Sequence, residues 1–201
     1  MKKVVVTLIV ILSVGLTYGQ EKKCGTRSTK RFTKGFDIGI NHANALLTDN
    51  SVATIQNGRG FRVGVISSLM ISQRFFLEPK AELSFNTSTL TDASGERFKI
   101  NPVDLEFIGH LRFKLRKGGF SPYILAGPNV KIPLGQGALT LPTRQDVAID
   151  IGVGLDVPLF KWRIAPELRY SYGLKNITEN ASVGDVRFHN VSLILNLGGK
   201  H

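Results

Sequence analysis

Along most of the chain, apolar and polar residues alternate with a period of two. The clearest stretch is RQDVAIDIGVGLDVPLF, residues 144–160. Val147, Ile149, Ile151, Val153, Leu155 and Val157 take the odd positions, and Asp146, Ala148, Asp150, Gly152, Gly154 and Asp156 the even ones. Successive side chains of an extended strand face opposite ways, so one face is aliphatic and the other small and acidic.

Seven further runs read the same way. Phe36, Ile38 and Ile40 oppose Gly35, Asp37, Gly39 and Asn41. Phe61, Val63, Val65, Leu69 and Ile71 oppose Arg62, Gly64 and Ser68. Phe75, Leu77, Pro79, Ala81, Leu83 and Phe85 oppose Glu78, Lys80, Glu82, Ser84 and Asn86. Val103, Leu105, Phe107, Leu111, Phe113 and Leu115 oppose Asp104, Glu106, His110, Arg112, Lys114 and Arg116. Ile124, Ala126, Val130 and Ile132 oppose Tyr123, Gly127, Asn129 and Lys131. Trp162, Ile164, Pro166, Leu168, Tyr170 and Tyr172 oppose Arg163, Ala165, Glu167, Arg169 and Ser171. Val191, Leu193, Leu195 and Leu197 oppose Asn190, Ser192 and Asn196, with Ile194 out of pattern.

The links between runs alternate too. Long polar stretches are expected at Ala43–Gly58, Thr87–Glu96, Pro133–Thr143 and Leu174–Gly184. Tight turns are expected at Ser72–Arg74, Lys117–Gly119 and Leu159–Lys161. This predicts an all-β, eight-stranded antiparallel up-and-down barrel with its short turns at one end and its long loops at the other.

Period two does not say which face looks outward. A soluble lipocalin-like barrel puts its apolar face inside, and a transmembrane barrel puts it against lipid. Runs of about ten residues or more suffice to cross a bilayer when tilted. Long loops at one end and short turns at the other also fit a transmembrane barrel, as do aromatics near strand ends (Phe75, Phe85, Phe107, Phe113, Trp162, Tyr170, Tyr172). The expectation is a transmembrane β-barrel of the outer membrane, with its acidic and basic side chains paired in the lumen. A soluble periplasmic barrel is the alternative.

The N-terminus agrees. Lys2 and Lys3 precede an uncharged run from Val4 to Leu16, and Thr17 and Gly19 suit a signal peptidase. The expected organisation is a signal peptide at 1–19, a periplasmic leader at 20–34 and the barrel at 35–198. Cys24 follows Lys23, not the small residue a lipobox needs, and as the only cysteine it has no internal partner. Removing Lys2 and Lys3 from a formal net charge of +11 leaves +9. No basic helix or zinc spacing points to nucleic acid, so anionic lipid is the better match for this charge.

Three segments carry a family resemblance. SPYILAGPNVKIPL supplies Pro122, Tyr123 and Gly127; DIGVGLDVPLF supplies Gly152, Gly154 and Asp156; IAPELRYSYGLKNI supplies Pro166, Glu167, Ser171, Gly173 and Asn176. In these positions the chain resembles the PorT-type outer-membrane β-barrel family, from about Gly35 to Gly198. The resemblance implies an eight-stranded outer-membrane barrel and, through the family's namesake, a link to type IX protein secretion.

Catalytic chemistry is less well supported. A lipid hydrolase needs a nucleophile, a base and an orienting acid within reach of one another. His110 is the candidate base, but Glu106, Arg112 and Lys114 share its face, which favours a histidine held in a lumen network. His42 and His189 lie near strand ends without metal spacing. Glu78, Glu82, Glu106 and Glu167, beside Lys80, Arg112, Arg163 and Arg169, read as a structural plug. Gly152 and Gly154 form a G-x-G with no helix after it, and read as room for bulky lumen neighbours. The N-x-S/T triplets at Asn86, Asn176, Asn180 and Asn190 carry no glycosylation inference in a bacterial barrel. The expectation is therefore a scaffold or interaction protein with no catalytic residue, cofactor or metal. Its expected partners are outer-membrane lipid and proteins met through extracellular loops or periplasmic turns. A lipid-modifying enzyme is the alternative.

Overall fold

The computed structural model describes residues 32–47, 54–56, 58–91, 97–99, 103–117, 119–134, 145–160, 162–174 and 186–199. The expected signal peptide, Cys24, Asn176 and Asn180 lie outside them, as do 48–53, 57, 92–96, 135–143 and 175–184 within the expected long loops.

Eight strands make the barrel: β1 (Phe32–Leu47), β2 (Gly58–Met70), β3 (Phe75–Asn86), β4 (Val103–Lys114), β5 (Ser121–Pro133), β6 (Asp146–Leu159), β7 (Trp162–Gly173) and β8 (Val186–Gly199). Each pairs antiparallel with its sequence neighbours, and β1 pairs with β8 to close the ring. Closure gives every strand two partners, so no open edge is left to hydrocarbon.

The register fixes the geometry. From His42 the paired positions run through Val191, Tyr170, Ile151, Ala126, Leu111, Leu77 and Leu69 and return to β1 at Phe32, ten residues below the start. Eight strands with that stagger tilt by about 41° and set the backbone at a radius of about 8 Å. A strand of twelve residues at that tilt rises about 30 Å, the thickness of a bilayer core.

The alternation resolves as apolar-out. Phe36, Ile38 and Ile40 on β1 are 55–63% exposed, while Asp37 and Asn41, of the opposite parity, are buried. Val63 and Val65 flank β2's inward face, and Ile149, Ile151 and Val153 stand outward on β6, with Asp146, Asp150 and Asp156 buried. Bare aliphatic side chains all round a closed sheet, with charges sealed inside, invert the soluble arrangement: this is the architecture of an outer-membrane barrel. Aromatic rings mark both ends of the outer wall. Phe75 and Phe113 lie 4.8 Å apart between centroids at the short-turn end, where Phe32 and Trp162 are also exposed. Phe61 stacks on Phe85 at 4.4 Å towards the other end, with Tyr170 and Tyr172 on β7.

The short turns are tied by local bonds. Ile71 and Ser72 both donate backbone N–H groups to Phe75 O (3.0 and 3.1 Å), and Ser72 Oγ accepts from Phe75 N at 3.2 Å. Between β4 and β5, Leu115 N donates to Pro122 O at 2.9 Å, and Gly119 takes φ 47°, a conformation open to glycine.

Several expectations change at the strand ends. Ala43 was expected to open a loop, yet it is fully buried within β1 and pairs with Asn190 and Gly58. Arg116 was expected on the lumen face. β4 ends at Lys114, leaving Arg116 exposed in the turn with its carbonyl accepting from Ser121 Oγ. Pairing also reaches from Phe32 to Gly199, slightly past the expected barrel limits. The loops after β1 and β3 hold short strands of their own. Thr54–Gln56 pairs with Thr89–Thr91, which pairs with Arg97–Lys99. This backbone pairing joins the two loops in a three-stranded sheet.

Candidate functional site

The lumen is built by the inward residue of every second position, and three layers of side chains fill it. Near the short-turn end, Phe76 and Tyr123 are buried and the Arg112 guanidinium sits 4.9 Å from the centre of each ring. Arg112 Nη1 lies 3.0 Å from Glu78 Oε1, and Arg163 Nη2 reaches the same carboxylate oxygen at 3.6 Å. Lys114 and Arg163 hold Asp156, the latter at 3.5 Å.

The middle layer ties opposite walls. Glu82 on β3 takes a two-pronged bond from Arg169 on β7 and a third contact from Arg62 Nη1 at 2.8 Å. Lys80 Nζ crosses the lumen to Glu167 Oε1 (3.2 Å), whose other oxygen accepts from Tyr123 Oη at 3.1 Å and Asn196 Nδ2 at 3.0 Å. His110 Nε2 lies 3.1 Å from Asp150 Oδ2, and Asn129 Nδ2 donates to Glu106 Oε2 at 2.7 Å. In the layer towards the long loops, Asn41 Nδ2 donates to Asn86 Oδ1 at 2.7 Å and to Ser84 Oγ at 3.0 Å, and Asn86 donates on to Asp104.

These residues hold one another. Arg62, Glu82, His110, Asp150 and Arg169 are all fully buried. Desolvating the carboxylates and guanidinium groups among them is tolerable only because each meets an opposite charge and further hydrogen bonds. Glu106, His110, Arg112 and Lys114 from β4 and Arg163, Glu167 and Arg169 from β7 all enter this lumen. His110 faces Asp150 within a sealed layer, away from the lipid that a hydrolase would have to admit. His42 lies on the outer wall; His189 packs against Tyr170 and Tyr172, with Tyr170 Oη 3.3 Å from its Nδ1.

One group of lumen residues was not marked by alternation. Ile66, Phe76, Ile108 and Leu125 point inward although apolar. They share the polar parity of their strands, which is the signal that would have found them. Gly152 and Gly154 do make room, as expected. A Cβ on Gly154 would lie 2.3 Å from Tyr123 Cζ, and one on Gly152 would lie 2.8 Å from the Leu168 carbonyl oxygen and 3.2 Å from Leu125 Cδ1.

Charge is divided unequally. Among the described residues, buried carboxylates outnumber buried lysines and arginines. At the short-turn end, Lys34, Arg74, Arg116 and Lys117 are all exposed.

No family model matches the sequence, and no curated protein sequence does either. Solved structures are similar in fold. The chain matches Neisserial surface protein A at 11% identity and a TM-score of 0.58, over 86% of this chain and 98% of that one. It matches the outer membrane protein OprG from Pseudomonas aeruginosa at 12% identity and a TM-score of 0.51, over 85% and 94%. Likeness at this identity is likeness of fold: a closed eight-stranded outer-membrane barrel.

Proposed function

We propose that this protein is a non-enzymatic barrel of a Gram-negative outer membrane, with a structural lumen and a function carried by its extracellular loops. The observation that carries the reading is the cross-lumen network around Glu82, Arg169, Lys80 and Glu167. A lumen knitted by short ion pairs across its middle is a strut, not a passage. What remains for recognition is the rim, and rigid scaffolds commonly present binding residues on loops. Pairing of Thr54–Gln56 with Thr89–Thr91 supports this, because it gives two of those loops a common backbone framework.

The resemblance to the PorT-type family adds a class of partner. In this finer reading the barrel is an accessory of type IX secretion, held in the outer membrane after removal of residues 1–19. Its basic short-turn rim, with Arg74, Arg116 and Lys117, faces the periplasm and acidic surfaces there.

The test is to shorten the loops one at a time, at 48–53, 92–96, 135–143 and 175–184, and cross-link in cells. Folding should survive each deletion, and at least one should remove the cross-linked complex. Intact complexes in all four would sink the loop reading, and complexes without secretion components would sink the accessory role.

A further inference from the structure

We propose that the outer wall binds one lipid with a phosphate headgroup, in a groove along the seam between β1 and β8 that ends at Arg59 and His42. Two adjoining apolar hollows, about 450 and 560 Å³, lie on this part of the wall and share Ile40 and Leu193. Each is within the size range of small-ligand sites. The upper one is bounded by His42, Arg59 and Leu168, and the lower by Ile38, Phe61 and Pro166. Part of the floor is bare backbone at Gly60 and Gly39.

Charge complementarity names the occupant. The groove is apolar along its length and cationic only where it meets the end that carries the long loops, which places its head at the outer leaflet. His42 and Arg59 are paired positions on β1 and β2, both exposed. The Arg59 backbone is clamped: its N–H donates to Thr87 Oγ1 at 3.0 Å, and its carbonyl accepts from Thr87 N at 3.2 Å and Oγ1 at 2.7 Å. An arginine rooted on a clamped backbone can offer a planar fork that matches phosphate oxygens, and the imidazole adds a further N–H. Ile38 lies about 13 Å along β1 from His42, or about 10 Å deeper once tilted, which is most of the roughly 15 Å of one leaflet. An acyl chain hanging from a phosphate held at Arg59 therefore runs down the groove.

Native mass spectrometry of the detergent-purified, delipidated protein tests this. The probes are dioleoyl phosphatidic acid and dioleoylglycerol, which differ by the phosphate. Wild type should retain one phosphatidic acid saturably, and roughly tenfold more tightly than dioleoylglycerol, the least expected from a charged hydrogen bond. Arg59→Gln with His42→Gln should abolish that preference. Ile40→Trp should weaken retention of both lipids by filling the groove with no change of charge. Arg74→Gln, at the opposite rim, should bind as wild type. Heat-modifiable gel mobility confirms that each variant is folded. Equal retention of the two lipids by wild type, or unchanged preference in the Arg59/His42 variant, overturns the proposal. So does an Ile40→Trp protein that changes oligomeric state but not lipid retention, since the groove would then be a contact between copies.

Discussion

Arg169 spans the barrel to Glu82, placing Nη2 2.8 Å from Oε1 and Nη1 3.1 Å from Oε2. The two residues stand on β7 and β3, diametrically opposite strands of the ring. Both are fully buried, so the contact works as a cross-brace.

Glu82 also receives Arg62, whereas Arg169 has Glu167 and Asp150 as further anions. Glu82→Ala leaves Arg62 with Glu106 and Arg169 with Glu167 and Asp150, and should destabilise by about 3–5 kcal/mol. Arg169→Met takes one cation from three carboxylates, in a lumen that already holds more buried acids than bases, and should cost more. Guanidinium unfolding in lipid vesicles gives the order, and a smaller loss for Arg169→Met would mean that Glu82, not Arg169, is the hub.

The Tyr123 ring occupies the space where Gly154 lacks a side chain. Gly154→Ala should cost about 1–3 kcal/mol by overpacking. In a Tyr123→Ala background the same change should cost less, the Pro166 carbonyl oxygen, 2.8 Å from the added Cβ, being the contact that remains. Additive losses in this double-mutant cycle would show that the glycine serves the backbone and not the ring.

Ile151 and Asp150 are neighbours in sequence and opposite in environment. Ile151→Arg puts a charge against lipid at mid-depth, at a cost of roughly 2–4 kcal/mol, and should impair assembly into the membrane. Asp150→Asn keeps the shape of the lumen partner of His110 and should be milder. Heat-modifiable gel mobility compares them; equal or reversed effects would put the faces the wrong way round.

In planar bilayers the purified protein should show no steady porin-sized conductance, because Lys80–Glu167 and Arg169–Glu82 cross the lumen at mid-height. Stable large currents from the wild type would remove the basis for placing function at the rim.

The strands were legible because alternation is enforced twice, by lipid outside and by a crowded polar lumen inside. Val147 to Val157 shows this most clearly: every odd residue had to be lipid-soluble and every even one small or paired. Strand ends were less legible, since neither constraint reaches them. Ala43 continues β1 because its partners Gly58 and Asn190 come from other strands, and Arg116 leaves the lumen because the chain turns at Leu115. The short strands at 54–56, 89–91 and 97–99 pair only with each other and carry no local pattern long enough to see. The groove ending at Arg59 was hidden for a different reason. Ile40, Phe61, Leu168 and Leu193 are far apart in sequence and meet only after β1 closes on β8.

That closure also governs how the protein comes into being. The strand whose edge β1 needs is the furthest from it in sequence among the eight. Until it is present, both outer strands of any growing sheet expose a full row of unpaired amides and carbonyls, which hydrocarbon will not accept. Such an intermediate also invites pairing between molecules in water. Pairing of β1 with β8 is therefore the step that makes the sheet acceptable to hydrocarbon. A truncation within β8 is then expected to abolish the assembled barrel outright, instead of leaving a seven-stranded remnant.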